Sequence, residues 1–237
     1  GHININACGL KSTASGSDIL LKTTGSITVG VGSATAIQSN NGNITLWADA
    51  DGNSDGYIRV RENATFNSAN GSTSQTTGGG AITLAGGSTT DSVTGLPNGF
   101  AYSPSGNTAN WGHTPVAGVQ LAAYNNVSNN IAFYSGGGNV VIKGKSANGM
   151  PGIAWMAGSG GTQIINSGDG TITIDGQAVG TGHGIEFNYG GGGASPLLQS
   201  SSNAAVAISV SGTTTSTGPH AGYQGKATFI ATGSGGI

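Results

Sequence analysis

The chain has 237 residues, 46 of them glycine, and only 7 % are charged, with seven Lys or Arg against nine Asp or Glu. Average chains carry about 7 % glycine and about 25 % charged residues; with Glu, Lys, Arg and Met this scarce, long amphipathic helices are excluded. A net charge of −2 without a basic stripe excludes nucleic acid and anionic membrane as partners, and no apolar run reaches the roughly 18–20 residues of a membrane span.

The chain opens in Gly1-His-Ile-Asn-Ile-Asn6, which alternates like a strand and shows no signal peptide, so it reads as a processed segment of something longer. Cys8 has no second cysteine to pair with and reads as a small buried residue. Alternation predicts strands over 3–6, 18–22, 26–31, 35–38, 43–48, 57–61, 64–68 and 81–85, separated by Gly-, Asn- and Ser-rich turns. In the stretch 42–60, Ile44, Leu46 and Ala48 alternate with Asn43, Thr45 and Trp47, and Ile58 and Val60 alternate with Tyr57, Arg59 and Arg61. A period of two places the aliphatics on a buried face and their neighbours in solvent.

Residues 88–116 break this pattern. Ser88 to Pro97 is loop-like, and Phe100, Tyr102 and Trp111 then cluster with Pro104, His113 and Pro115. A stretch this long without periodicity reads as a packed excursion off the wall: a flap over a sheet face, or a protrusion that meets a ligand. From Ala117 the alternation returns, with strands predicted over 139–143, 152–156, 162–166, 171–175, 184–189, 197–200, 205–210 and 227–231. Gly136–138 and Gly190–193 fall at turns, where positive φ is easy.

One phrase recurs: glycine, any residue, aliphatic, any residue, aliphatic. It stands at Gly25-Ser-Ile-Thr-Val29, Gly42-Asn-Ile-Thr-Leu46, Gly56-Tyr-Ile-Arg-Val60, Gly80-Ala-Ile-Thr-Leu84, Gly138-Asn-Val-Val-Ile142 and Gly170-Thr-Ile-Thr-Ile174. A degenerate repeat of roughly 15–20 residues predicts a solenoid whose coils bury apolar faces against each other. At two or three strands per coil, the whole chain makes roughly 9–12 coils.

The phrases Gly42-Asn-Ile-Thr-Leu-Trp-Ala-Asp-Ala-Asp-Gly52, Gly80-Ala-Ile-Thr-Leu-Ala-Gly-Gly87 and Gly170-Thr-Ile-Thr-Ile-Asp-Gly176, with Gly182-His-Gly-Ile-Glu186, resemble large repetitive bacterial exoproteins, the filamentous haemagglutinin-like adhesins. The likeness is one of repeat style and covers most of the chain except 88–116. It implies a right-handed parallel β-helix, secretion to the cell surface, and a role in adhesion or biofilm scaffolding. The secretion domain that opens such proteins is not recognisable here.

Two constellations bear on chemistry. Asp51-Gly-Asn53-Ser-Asp55-Gly-Tyr57 with Glu62 has the spacing of an EF-hand calcium loop: oxygens at positions 1, 3 and 5, glycine at 6, a carbonyl at 7 and Glu at 12. A structural calcium held by Asp51, Asn53, Asp55, the Tyr57 carbonyl and Glu62 is one reading. The other is an Asx-rich turn between coils, favoured by strand-like flanks where an EF-hand has helices. Asp169, Asp175, His183 and Glu186 lie in one short region, and a carboxylate pair there fits general acid–base work. The two aspartates sit beside glycines in turn-like places, however, and Lys143 and Lys145 are the nearest bases. His2, His113 and His220 stand alone, without metal-ligand spacing.

The sequence therefore predicts an all-β chain, residues 1–237 forming one right-handed parallel β-helix with regular coils over 1–87 and 117–237 and an irregular aromatic-containing excursion near 88–116. Its expected role is non-catalytic: a structural or adhesive module of a secreted bacterial surface protein, requiring no cofactor. Its expected partners are copies of itself stacked end to end, neighbouring modules of a longer chain, or host-cell and matrix glycans. The competing expectation is a carbohydrate-binding or carbohydrate-cleaving β-helix, a lyase, hydrolase or tailspike-like binder.

Overall fold

The computed structural model of the chain describes residues 1–30, 34–104, 117–123, 130–147, 149–157, 163–187, 195–215 and 222–237. Its strands follow one another around a three-sided coil. The first coil holds β1 (Ile3–Ile5), β2 (Leu10–Ser15) and β3 (Ile19–Lys22), and the second β4 (Ile27–Val29), β5 (Thr35–Asn40) and β6 (Ile44–Ala48). The third holds β7 (Ile58–Arg61), β8 (Ala64–Asn67) and β9 (Ile82–Thr90), with β10 (Pro97–Gly99) and β11 (Ala101–Ser103) following it. Next come β12 (Val119–Ala123), β13 (Ile131–Tyr134) and β14 (Val140–Ser146), then β15 (Ile153–Ala157), β16 (Gln163–Asn166) and β17 (Ile172–Ala178). The sixth coil is β18 (Ile185–Phe187), β19 (Leu197–Ser200) and β20 (Ile208–Thr214), and the last strands are β21 (Tyr223–Gln224) and β22 (Thr228–Ala231).

Every third strand joins the same sheet. Wall A runs β1-β4-β7-β12-β15-β18-β21, wall B runs β2-β5-β8-β13-β16-β19-β22, and wall C runs β3-β6-β9-β14-β17-β20. All neighbours along these paths are parallel. The molecule is a right-handed parallel β-helix, the hand that parallel crossovers take for steric reasons.

The repeat is longer than the sequence suggests. From Ile27 to Ile58, one coil of wall A, is 31 residues; from Val140 to Ile172, one coil of wall C, is 32. The described residues build six full coils and two strands of a seventh where 9–12 coils are expected. The cause is local: the Gly-x-aliphatic-x-aliphatic phrase opens strands on two walls. Ile27 and Ile58 stack in wall A while Ile44 and Ile82 stack in wall C, so successive copies count half-coils. Wall B strands, most of which alternation predicts, open without the phrase, so a count of the phrase passes over them.

In-register stacking lines the interior with rows of large apolar side chains. Wall A stacks Ile27, Ile58, Val119, Ile153 and Ile185. Wall C stacks Ile44, Ile82, Val140, Ile172 and Ile208. Wall B stacks Ile37, Phe66, Phe133, Ile165 and Leu198. All of these are buried, each stabilising the fold by about 1.5–3 kcal/mol. Aromatics form a ladder of their own: the Phe66 and Phe133 rings lie 4.8 Å apart and nearly parallel, and Trp155 lies 5.0 Å from Phe187.

The corner between walls B and C repeats a hydrogen bond. Ser39 Oγ donates to the Gly42 carbonyl at 2.5 Å, Ser68 to Gly80 at 2.6 Å, Ser135 to Gly138 at 2.5 Å and Ser167 to Gly170 at 2.6 Å. These serines are fully buried, so each hydroxyl satisfies a carbonyl that the turn takes out of the ladder. The glycines they meet are obligatory. A Cβ on Gly80, Gly138 or Gly170 would lie 2.0–2.1 Å from the carbonyl oxygen of the glycine one coil below.

The wall-C strand of the third coil is a composite. β9 pairs with β14 only from Ile82 to Leu84, and β11 supplies the rest of the rung, pairing Ala101–Ser103 with Gly144–Ser146. Between them β9 leaves the wall and returns as β10, antiparallel to it. Residues 88–104 are thus a hairpin and a wall strand; Trp111, His113 and Pro115 lie outside the described residues.

Candidate functional site

With the interior filled by side chains, any function lies on the outer faces, the corners and the ends. The predicted alternation of buried and solvent-facing residues fails on the outer face of wall C, where Thr45 and Trp47 are buried along with Ile44, Leu46 and Ala48. Trp47 Nε1 donates to the Gly87 carbonyl at 2.8 Å, and the Lys22 ammonium sits 3.6 Å from the Trp47 ring centroid. Lys143 Nζ donates to the Asn98 carbonyl at 3.0 Å and lies 5.9 Å from the Phe100 ring. Trp47 and Lys143 thereby hold the base of the β9–β10 hairpin against the wall.

The hairpin tip is ordered by one carboxylate. Asp91 Oδ1 accepts from the Val93 and Thr94 amides at 3.0 and 2.8 Å and from Thr94 Oγ1 at 2.9 Å. These bonds favour the ionised form and hold the Asp91 carboxyl below its ordinary range. Val93 stands at the tip, 90 % exposed. The sequence read this segment as loop, although Asp91 and Gly95 four residues on are a turn signal.

The calcium-like stretch divides between two corners. Residues 49–56 turn from wall C to wall A around Asp49, which is buried and whose Oδ1 accepts from the Ser54 and Asp55 amides at 3.1 and 3.3 Å. Asn53 Nδ2 donates to Asp51 Oδ2 at 3.0 Å. The Tyr57 carbonyl accepts the ladder bond from the Ile27 amide at 2.9 Å. Glu62 lies beyond the far end of β7, an unbroken strand of four residues, or on the order of 13 Å. There it pairs with Arg61, whose Nη2 and Nε reach the carboxylate at 2.9 and 3.2 Å. Asp51, Asn53 and Asp55 therefore share a turn, and Glu62 does not join them. Among the described residues, no group of three or more His, Cys, Asp or Glu is placed to hold a metal ion. Asp49, which the calcium pattern leaves out, is the residue that organises this turn; burial pushes its carboxyl above the ordinary range.

The four residues of the acid–base reading also disperse. Asp169 is at the corner between walls B and C and accepts from Ser201 Oγ at 2.6 Å. Asp175 faces outward on wall C beside Lys143, its register partner. Glu186 faces outward on wall A, between Ala154 and Gln224 in register. Burial raises both carboxyls, partly offset by Lys143 at Asp175 and by His183 at Glu186. Only His183 and Glu186 remain neighbours. Cys8, expected to be buried, is exposed on the first coil. His113 and His220 lie outside the described residues. No helix among the described residues is long and apolar enough to cross a membrane.

The chain matches no protein-family model, and no curated protein and no solved structure is similar enough to it to count as a match.

Proposed function

We propose that the chain is a non-catalytic rod module of a secreted bacterial surface protein, which holds an adhesive face away from the cell. The observation that carries this reading is the outer surface. The three walls are continuous parallel sheets, the chain is 7 % charged, and the carboxylates of the acid–base reading are spread over two walls and a corner. An enzyme of the polysaccharide-cleaving kind needs two carboxylates facing one scissile bond, within roughly 5–10 Å of each other. The hairpin at 88–104 is the adhesive candidate, because it projects an ordered tip with Val93 outermost.

The test exposes the purified chain to an array of neutral and acidic polysaccharides and matrix proteins, scoring retention and release of reducing ends separately. Retention without cleavage, weakened by Val93→Asp, supports the reading. Release of sugar products contradicts it.

A further inference from the structure

Where wall C nears the turn to wall A, four side chains fall in one row. Tyr102, Lys145, Gln177 and Thr213 are register partners on β11, β14, β17 and β20, so the row crosses four rungs over about 14 Å. The buried Ser103, Ser146 and Ala178 follow the first three and point inward, so alternation sets the row on the outer face.

The backbone under each of the four is pinned. Tyr102 exchanges two hydrogen bonds with Gly56, its amide donating at 2.8 Å and its carbonyl accepting at 3.0 Å. Beneath the other three, wall A begins in close contact. A Cβ on Gly118, Gly152 or Gly184 would lie 2.3 Å from the amide nitrogen of Lys145, Gln177 or Thr213 respectively. A platform fixed in this way loses little freedom when it meets a ligand.

The four side chains take no part in holding the fold. Tyr102, Lys145 and Gln177 are half-buried and Thr213 is exposed, and none makes a side-chain hydrogen bond, ion pair or ring contact with a described residue. Over β14, β17 and β20 the outward charges are Lys143, Lys145 and Asp175. Lys143 and Asp175 face each other in register and offset one another, which leaves the Lys145 charge uncompensated. The row also begins where the hairpin leaves the wall: Phe100, two residues before Tyr102, stands 5.9 Å from the Lys143 ammonium.

We propose that this row binds a linear polysaccharide with widely spaced carboxylates, laid along the rod axis with one carboxylate on Lys145. The proposal rests on the adhesive reading and names its ligand. The Tyr102 ring offers an apolar face to one sugar and its hydroxyl a polar handle, while Gln177 and Thr213 supply hydrogen bonds to the hydroxyls of sugars further along. The rung spacing of about 4.8 Å is close to the length a pyranose adds to a chain. An extended peptide presents side chains on one face only every 6.6 Å or so and falls out of step with the row. Charge decides between acidic chains. One free cation with Asp175 a single position away repels a polymer that is anionic at every sugar, and welcomes one whose carboxylates are separated by neutral sugars.

The experiment is calorimetric titration of the 237-residue chain with gellan oligosaccharides, in which glucuronate recurs among neutral sugars, beside the same oligosaccharides with their carboxyls reduced and beside heparin oligosaccharides. Gellan fragments should bind, and their affinity should fall as salt rises. Carboxyl reduction, or Lys145→Gln, should each weaken binding by about tenfold, with Lys145→Arg restoring it. Tyr102→Ala should weaken binding at every salt concentration. Tyr134→Ala, an outward tyrosine between Asn67 and Asn166 on wall B, should leave it unchanged, and all four variants should keep the parent's melting temperature. No binding at millimolar ligand, equal binding of the reduced oligosaccharide, or tighter binding of heparin overturns the proposal. Binding that Val93→Asp weakens and Lys145→Gln does not overturns it too, and leaves the hairpin as the adhesive element. Binding through Lys145 followed by release of reducing ends would contradict the non-catalytic reading and leave this row standing.

Discussion

At Ser135 a single hydroxyl closes a corner. It is fully buried and donates to the Gly138 carbonyl, so Ser135→Ala leaves a buried acceptor without its donor, at a cost of about 1–3 kcal/mol. Thermal unfolding of that variant should begin several degrees lower, while Ser135→Thr, which keeps the oxygen, should lose less. Gly138→Ala should be worse, by about 3 kcal/mol or more, because the new methyl lies 2.1 Å from the Gly80 carbonyl oxygen. If Gly138→Ala melts with the parent, the stacked-glycine corner is wrong. The carboxyls set the response to pH. Asp49, Asp175 and Glu186 are raised by burial above their ordinary values of 3.8, 3.8 and 4.5. The folded state therefore holds their protons more tightly than the unfolded chain does. Their contribution is full below the ordinary carboxylate range and is lost as pH rises through the raised values. Asp91, lowered and fully exposed, has the opposite sign and acts on the hairpin tip. Glu186→Gln should accordingly raise the melting temperature at pH 7 and leave it nearly unchanged at pH 3.5. A variant that is destabilised at pH 7 would show that Glu186 is held by a favourable charge interaction instead.

Among the elements, the aromatic ladder and the hairpin behave differently under mutation. Phe133→Ala removes a ring stacked 4.8 Å from Phe66 in the interior, and should cost about 3–5 kcal/mol, read by denaturant unfolding. Trp47→Ala cuts the bond to Gly87 and the contact with Lys22. The wall beneath does not depend on it, so this variant should stay folded but be clipped faster by protease within 88–104; unchanged cleavage would show that the hairpin is not held by Trp47. How far these elements are legible in the sequence depends on their period. Ile44, Leu46, Ile82, Leu84, Ile172 and Ile174 are inward by alternation alone and are buried, because register in a stack with one wet face is set by parity. β2 and β21 escape notice because Lys11-Ser-Thr-Ala-Ser15 and Tyr223-Gln224 carry too few aliphatics to show a period. The serine corner is written in the sequence as Ser-x-x-Gly just ahead of the aliphatic phrase, at Ser39, Ser135 and Ser167. Serine next to glycine is so common here that the signal drowns in composition. Glu62 fits the calcium spacing along the chain, yet β7 stays extended and carries it to the other corner. A one-dimensional spacing has no knowledge of strand length in space.

For the whole molecule, low charge and high glycine content follow from the architecture. Each coil repeats its backbone close to the coil below, so corners demand glycine, and rows of like residues in register penalise charge, since identical charges would stack about 4.8 Å apart. Stability then comes from apolar rows and a continuous hydrogen-bond ladder. Function is left to the outer faces and the hairpin. Everything proposed for those surfaces depends on the three-walled coil and its 32-residue step from Val140 to Ile172. The most direct measurement is a disulfide trap in a Cys8→Ser background. Val141 and Thr173 are register partners on the outer face of wall C, and the spacing of paired strands suits a disulfide. Val141→Cys with Thr173→Cys should close an intrachain bond on mild oxidation and keep the parent's circular dichroism, whereas Val141→Cys with Ile172→Cys, which points one thiol inward, should remain reduced. Closure of the second pair and not the first would contradict the register, and with it the coil on which the account stands.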